Sequence, residues 1–273
     1  MSSQEVHHEG PHIPWTQGDS IYVFDIAGYQ IDITTTIFST WIVMVVILLI
    51  ALLFNRALSG NKFPRIKQAW LHFISSLDTF ISDIFGDKGR ARFFLPVLAS
   101  IFTFVLFGNL FGLLFDYINF GVPSLHAYLR PINSDLNTTL VLGMGVVISA
   151  QIVAIIRKGF FHHFWHYLFN YSGEMLIEKI INVFVGWLHF IGELARIVSL
   201  SLRLFSNIFA GVILLGVMFY IGTIIPHTYG IFGAMFALPF WFFELLVALL
   251  QAFIFMTLSS IYLKEASVLE EHH

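Results

Sequence analysis

The chain has no cysteine among its 273 residues. Disulfides and thiolate metal sites are therefore excluded. Charge is scarce too: Asp, Glu, Lys and Arg make up 11% of the sequence, where an ordinary soluble domain carries about 25%. A net charge of −3 leaves no basic footprint, so no nucleic acid is expected as a partner. Residues 1–35 contain no Lys or Arg, only the five acids Glu5, Glu9, Asp19, Asp25 and Asp32. A secretory signal starts basic and a transit peptide is rich in Arg. Neither is read here, and the first apolar span is expected to insert the chain directly. Phosphate-binding loops, nucleophile elbows, internal repeats and low-complexity segments are absent as well.

What the sequence does hold is hydrocarbon. Apolar residues make up 57% and aromatic residues 17%, including 31 Phe, and the mean hydropathy is +0.80. No soluble domain of this size has a core that could hide so much apolar side chain. The composition predicts an all-α polytopic membrane protein and a lipid bilayer as its surroundings.

Uncharged runs mark the spans. An external segment covers 1–35, and a first span runs over 37–54, long enough to cross a hydrocarbon core of about 30 Å. Residues 64–87 mix apolar and charged residues at helical spacing, as an amphipathic helix on the cytoplasmic surface does. Runs at 93–115 and 136–156 form a helical hairpin. Between 180 and 263 only Glu193, Arg196, Arg203 and Glu244 are charged, and PHTYG at 226–230 is the clear turn signal. This predicts two long helices, 178–225 and 234–263, the first too long to stand upright. The expectation is one membrane domain over 1–273, about five transmembrane helices with the amphipathic one beside them, ending in a long tilted hairpin. Segment 55–92 carries seven basic residues and the loop 116–135 carries one, Arg130. Positive-inside bias then places the C-terminus in the cytoplasm and the N-terminus outside.

An ionisable residue inside a span is costly and usually functional. Arg196 and Arg203, seven apart, share one helix face within about 20°. Glu193, three before Arg196, can neutralise it; Arg203 has no acid within four residues. Glu244 lies in ALPFWFFELLVALLQAFIFM with Gln251 as its polar companion on the same face. A lone carboxyl there can take up and release a proton. Reversal around residue 227 sets Arg203 across from Gln251, and Glu244 across from 210–212, about 10 Å apart in depth.

The stretch ELARIVSLSLRLFSNIFAG at 193–211 resembles the signature of subunit a of F-type ATP synthases, with Ser206 where the family usually has Gly. LLQAFIFMTLSSIYL at 249–263 resembles that family's last helix, and GNLFGLL at 108–114 and RPINSDLNTTL at 130–140 are weaker matches. The resemblance implies a non-catalytic, proton-translocating subunit that couples proton flow to rotation and ATP synthesis. It implies a c-ring and the subunit b peripheral stalk as partners, ATP chemistry on partner subunits, no cofactor and no metal. The setting implied is a bacterial inner membrane, with an organelle inner membrane as the alternative.

Residue by residue, the resemblance makes Arg203 the arginine facing the ring carboxylates, Gln251 the polar residue packed near it, and Asn207 part of the outer aqueous path. Glu244 falls where some members have Glu and others His. Val212 is a departure, being apolar where many members carry Glu or His. The outer path then leans on Glu244, helped by Asp135, Asn137, Asp116 or His126. His189, Glu193 and Ser199 fall where inner-path groups lie, with His189 replacing a common acid. Two other readings are weighed against this one. HHFWH at 162–166 and the HxxxH spacing of His8 and His12 hint at a membrane di-iron oxygenase or incidental metal binding, but the charge rule puts the two clusters on opposite sides. A stand-alone channel or transporter would not need a bare Arg203. Gly108 and Gly112 form a GxxxG pair suited to close helix packing.

Overall fold

The computed structural model describes residues 20–26, 29–59, 64–121, 131–159, 176–224 and 231–267. The turn at 226–230, His126 and the histidine clusters at 8–12 and 162–166 lie outside the described residues. Among the described residues there are six α-helices: α1 (Thr35–Ser59), α2 (Pro64–Phe85), α3 (Lys88–Gly121), α4 (Leu136–Lys158), α5 (Leu176–Ile224) and α6 (Ile231–Ser267). All but α2 are long and apolar enough to cross a membrane, so the all-α membrane fold read from the sequence stands. One local element was not anticipated. Within the N-terminal segment, β1 (Ser20–Ile26) pairs antiparallel with β2 (Tyr29–Thr34), which runs straight into α1.

Helix ends follow capping chemistry. Asp87 accepts hydrogen bonds from the Gly89 N–H at 2.8 Å and from Arg90 Nε at 2.9 Å, opening α3. Those bonds hold its carboxyl below the usual carboxylate range. Asp135 caps α4 by accepting from the Asn137 N–H at 2.9 Å. Gly86 (φ +69°) follows α2 and Gly159 (φ +84°) follows α4, both in the positive-φ region that suits glycine.

Helix α2 buries Leu77, Ile81 and Phe85, one side of the cylinder at four-residue spacing. Phe85 stacks on Phe94 of α3, and Phe80 meets Phe253 of α6 at 4.8 Å. Helix α1 is the least covered of the five long helices. It is tied to the rest partly through Phe54, stacked 4.5 Å from Trp70. Helix α5, at 49 residues, is about 70 Å long. That exceeds any upright crossing, so it lies tilted or partly along the membrane.

Helices α3, α4, α5 and α6 pack into one bundle around a large apolar cluster. It includes Phe94, Leu98 and Val105 of α3, Val146 and Ala150 of α4, Leu200 and Leu204 of α5, and Phe255 and Met256 of α6. A second, smaller cluster joins Leu113, Leu215, Phe219 and Ala237. Between the two the apolar packing is interrupted, on α3 near Asn109, on α5 at 207–211 and on α6 at 244–251.

Close helix approach depends on small residues. A Cβ on Gly143 of α4 would collide with Ser201 Oγ and come within 3.2 Å of the Ile197 carbonyl oxygen on α5. Gly143→Ala is therefore expected to cost about 1–3 kcal/mol of stability. Ser201→Gly in the same chain should recover part of it. Thermal midpoints of the detergent-solubilised protein check this; an unchanged midpoint for Gly143→Ala would show that the two helices separate freely here.

Candidate functional site

The interruption between the two apolar clusters brings together a carboxyl and several amide side chains of the membrane interior. On α6, Glu244 and Gln251 are seven residues apart and so project from one face. Both are buried, at 6% and 2% exposure. On α5, Asn207 and Gly211 are four apart and face them. The Asn207 Nδ2 donates to Gln251 Oε1 at 2.8 Å. The Glu244 carboxyl lies directly against the Gly211 Cα, where any Cβ would collide with it. Glu244 Oε1 and Gln251 Nε2 are buried without a hydrogen-bond partner. A polar atom left so inside a bundle is costly, which marks this seam as built for something other than stability.

Two further asparagines extend the seam. Asn109 of α3 donates through Nδ2 to the Ala248 carbonyl of α6 at 3.3 Å, one turn from Glu244. Asn133, in the 3₁₀ turn Ile132–Ser134, donates to Asn109 Oδ1 at 2.6 Å. Both are fully buried. Glycines let this turn sit against α3: a Cβ on Gly108 would come within 3.2 Å of Asn133, and one on Gly112 within 2.9 Å of Pro131. Sequence reasoning passed over both asparagines. The available signal was an amide inside an otherwise uncharged apolar run, at 108–114, and a second in the RPINSDLN element.

The other expected site residues take different places. Arg203 is exposed and, among the described residues, has no hydrogen bond or ion pair. Gln251, expected across from Arg203, is turned into the bundle and bonds Asn207, one turn along α5, while Arg203 is exposed. Ser199 and His189 are exposed on α5, and Glu193 is half-buried. Glu193 accepts from Arg196 Nη1 at 3.0 Å, and His189 Nε2 lies 3.8 Å from the same oxygen. Asp135 and Asn137 are engaged with each other in the α4 cap, and among the described residues no hydrogen bond joins either to Glu244. Asp116 is buried on α3. Val212 is half-buried, next to the glycine that receives Glu244.

Two features thus stand together: an exposed, unpaired arginine at mid-helix, and a buried carboxyl about two turns along α5, in a polar seam. The family model for the ATP synthase A chain matches residues 37–264. The chain belongs to the ATP synthase A chain family. It is 30% identical over 235 residues to the ATP synthase subunit a of Geobacter sulfurreducens, covering 86% of this chain and 87% of the relative. It is 33% identical over 258 residues to ATP synthase subunit a of Erythrobacter litoralis, covering 89% of each. A third relative, ATP synthase subunit a of Xanthobacter autotrophicus, is 33% identical over 220 residues, 78% of each chain. As a member of this family the chain is a multi-pass membrane protein and a proton-channel subunit of the ATP synthase complex. Neither the stand-alone channel nor the di-iron oxygenase reading is favoured.

In this ATP synthase A chain the fit of Glu244 against Gly211 is a size constraint. Gly211→Ala should displace the carboxyl and slow passive proton conduction through the membrane sector in assembled complexes. Shortening the acid with Glu244→Asp in the same chain should recover part of the rate. The check is proton flux into vesicles stripped of the ATP-hydrolysing head. Equal flux in wild type and Gly211→Ala would mean that the carboxyl is not confined by this contact.

Proposed function

We propose that the chain is the non-catalytic stator subunit that feeds protons to and from the c-ring, with the N-terminus outside and the C-terminus in the cytoplasm of a bacterial inner membrane. The subunit b peripheral stalk holds it in place, and ATP chemistry occurs on partner subunits. The observation that carries the reading is the pairing of an exposed, unneutralised Arg203 with a buried, unpartnered Glu244.

The mechanism follows from charge in a low-dielectric medium. A ring carboxylate must be neutral to travel through lipid, since a bare charge there is too costly. On reaching the stator it meets the Arg203 guanidinium, which stabilises its ionised form. Guanidinium does not release its proton, so Arg203 also separates the two aqueous paths. On the outer side, protons pass through the seam of Asn133, Asn109, Asn207, Gln251 and Glu244; Asp116, Asp135 and Asn137 belong to its outer approach. On the inner side they leave past Ser199 and His189, while Glu193 stays paired with Arg196. One charge crossing 100 mV supplies about 2.3 kcal/mol, which biases the direction of each step.

Arg203→Lys tests this most sharply. The charge is kept, so a purely electrostatic counter-ion would survive. Lysine is instead a compact point charge on a flexible stem and loses its proton readily when desolvated, whereas the planar fork of arginine can pass successive carboxylates across its donors. ATP synthesis and ATP-driven pumping should both be lost. Arg203→Ala should add a passive proton leak, since the barrier is gone while both paths remain. Proton flux and ATP synthesis in inverted vesicles at normal assembly levels decide it; substantial coupled synthesis by Arg203→Lys would remove Arg203 from the separating role.

A further inference from the structure

Helix α5 presents two arginines on nearly the same face, seven residues or about 10 Å apart along the axis. Their surroundings differ completely. Arg203 is exposed and unpaired among the described residues. Arg196 has its donors occupied on two sides: Nη1 donates to Glu193 Oε1 of α5 at 3.0 Å, and Nη2 to Glu265 Oε2 of α6 at 3.0 Å. Its guanidinium carbon lies 4.8 Å from the centroid of the Tyr262 ring, so one flat face is covered as well. Glu193 comes from α5 itself and Glu265 from α6, and together they hold Arg196 between the two helices.

We propose that Glu193 and Glu265 mask Arg196, so that of the two arginines on this face only Arg203 is offered to the ring carboxylates. The inference rests on the reading of Arg203 given above. An unmasked guanidinium about 10 Å from Arg203 would give an ionised ring carboxylate a second place to rest. Charge-assisted bidentate pairing would make that stop a strong one. The ring would then stall one station away from the point where the two aqueous paths meet it. One acid alone leaves half of the guanidinium fork free; the second, supplied by the neighbouring helix, closes it. Glu193, Glu265 and Tyr262 are positioning residues in this scheme and do not touch the ring carboxylate.

Rescue by removing the decoy tests the proposal. In inverted vesicles with normal amounts of assembled complex, Glu193→Gln/Glu265→Gln should lose most of its ATP-driven proton pumping. Adding Arg196→Gln should restore most of it, because no second cation then remains. A pair of acids that merely held the helices together, or a Glu193 needed to carry protons, would give no such recovery. Should the double variant fail to assemble, Glu265→Gln with and without Arg196→Gln carries the same test at smaller amplitude, since the Glu265 side chain is 54% exposed. Full pumping by the acid-deficient variants, or a triple variant as slow as the double, would overturn the masking role. Arg203→Lys measured alongside separates the two levels: normal pumping there would refute the reading of Arg203 itself, whatever the Arg196 variants do.

Discussion

The contact between the Glu244 carboxyl and Gly211 is the constraint around which the bundle is organised. A carboxyl in the interior of a membrane protein needs either a partner or a space in which it stays close to the helix it faces. Here the space exists only because position 211 has no side chain. Helices α5 and α6 are held in register above and below that point by apolar residues: Leu215, Phe219 and Ala237 on one side, Leu204, Ala252 and Met256 on the other. The amides of Asn207, Gln251, Asn109 and Asn133 fill the level in between. Gln251 leans on Asn207 and Asn133 on Asn109, so each pair is placed together rather than leaving a buried amide bare.

Arg203 obeys the opposite rule. It gains nothing from the bundle and sits outside it, about two turns of α5 from Gly211. Had it turned inward it would have met Gln251, and the outer surface would have lost this cation. The bond between Asn207 and Gln251 helps prevent this by occupying the inward-facing amide.

Much of this was legible in the sequence because the membrane makes charge conspicuous. Five apolar helices could be counted from uncharged runs, and Arg203 and Glu244 stood out by their cost. Reversal near residue 227 placed Glu244 opposite 210–212, and the carboxyl indeed abuts Gly211. Asn109 and Asn133 did not stand out, since one amide scarcely alters a hydrophobic run and their partners come from distant segments. Glu265 was likewise unremarkable at the end of the last helix until its distance from Arg196 was known. The β1–β2 pair was missed because an acidic segment before the first span was read only for targeting signals. Asp135 was legible as a polar residue in a family-like element, but its bond to the Asn137 N–H is a helix-capping arrangement that the element alone did not reveal.

Helix α5 is continuous over 49 residues, and this has a mechanical side. Under sideways load an unbroken helix behaves as a beam whose deflection depends on where it is braced. Its apolar bracing runs from Leu200 and Leu204 to Leu215 and Phe219, the stretch that carries Arg203 and Gly211, while residues 187–199 include no buried side chain. Load applied at Arg203 is therefore taken up close to where it acts, and the beam gives most in its less braced N-terminal part. A braced stretch around position 203 holds the arginine at a fixed height along the helix axis, without any hinge in the backbone.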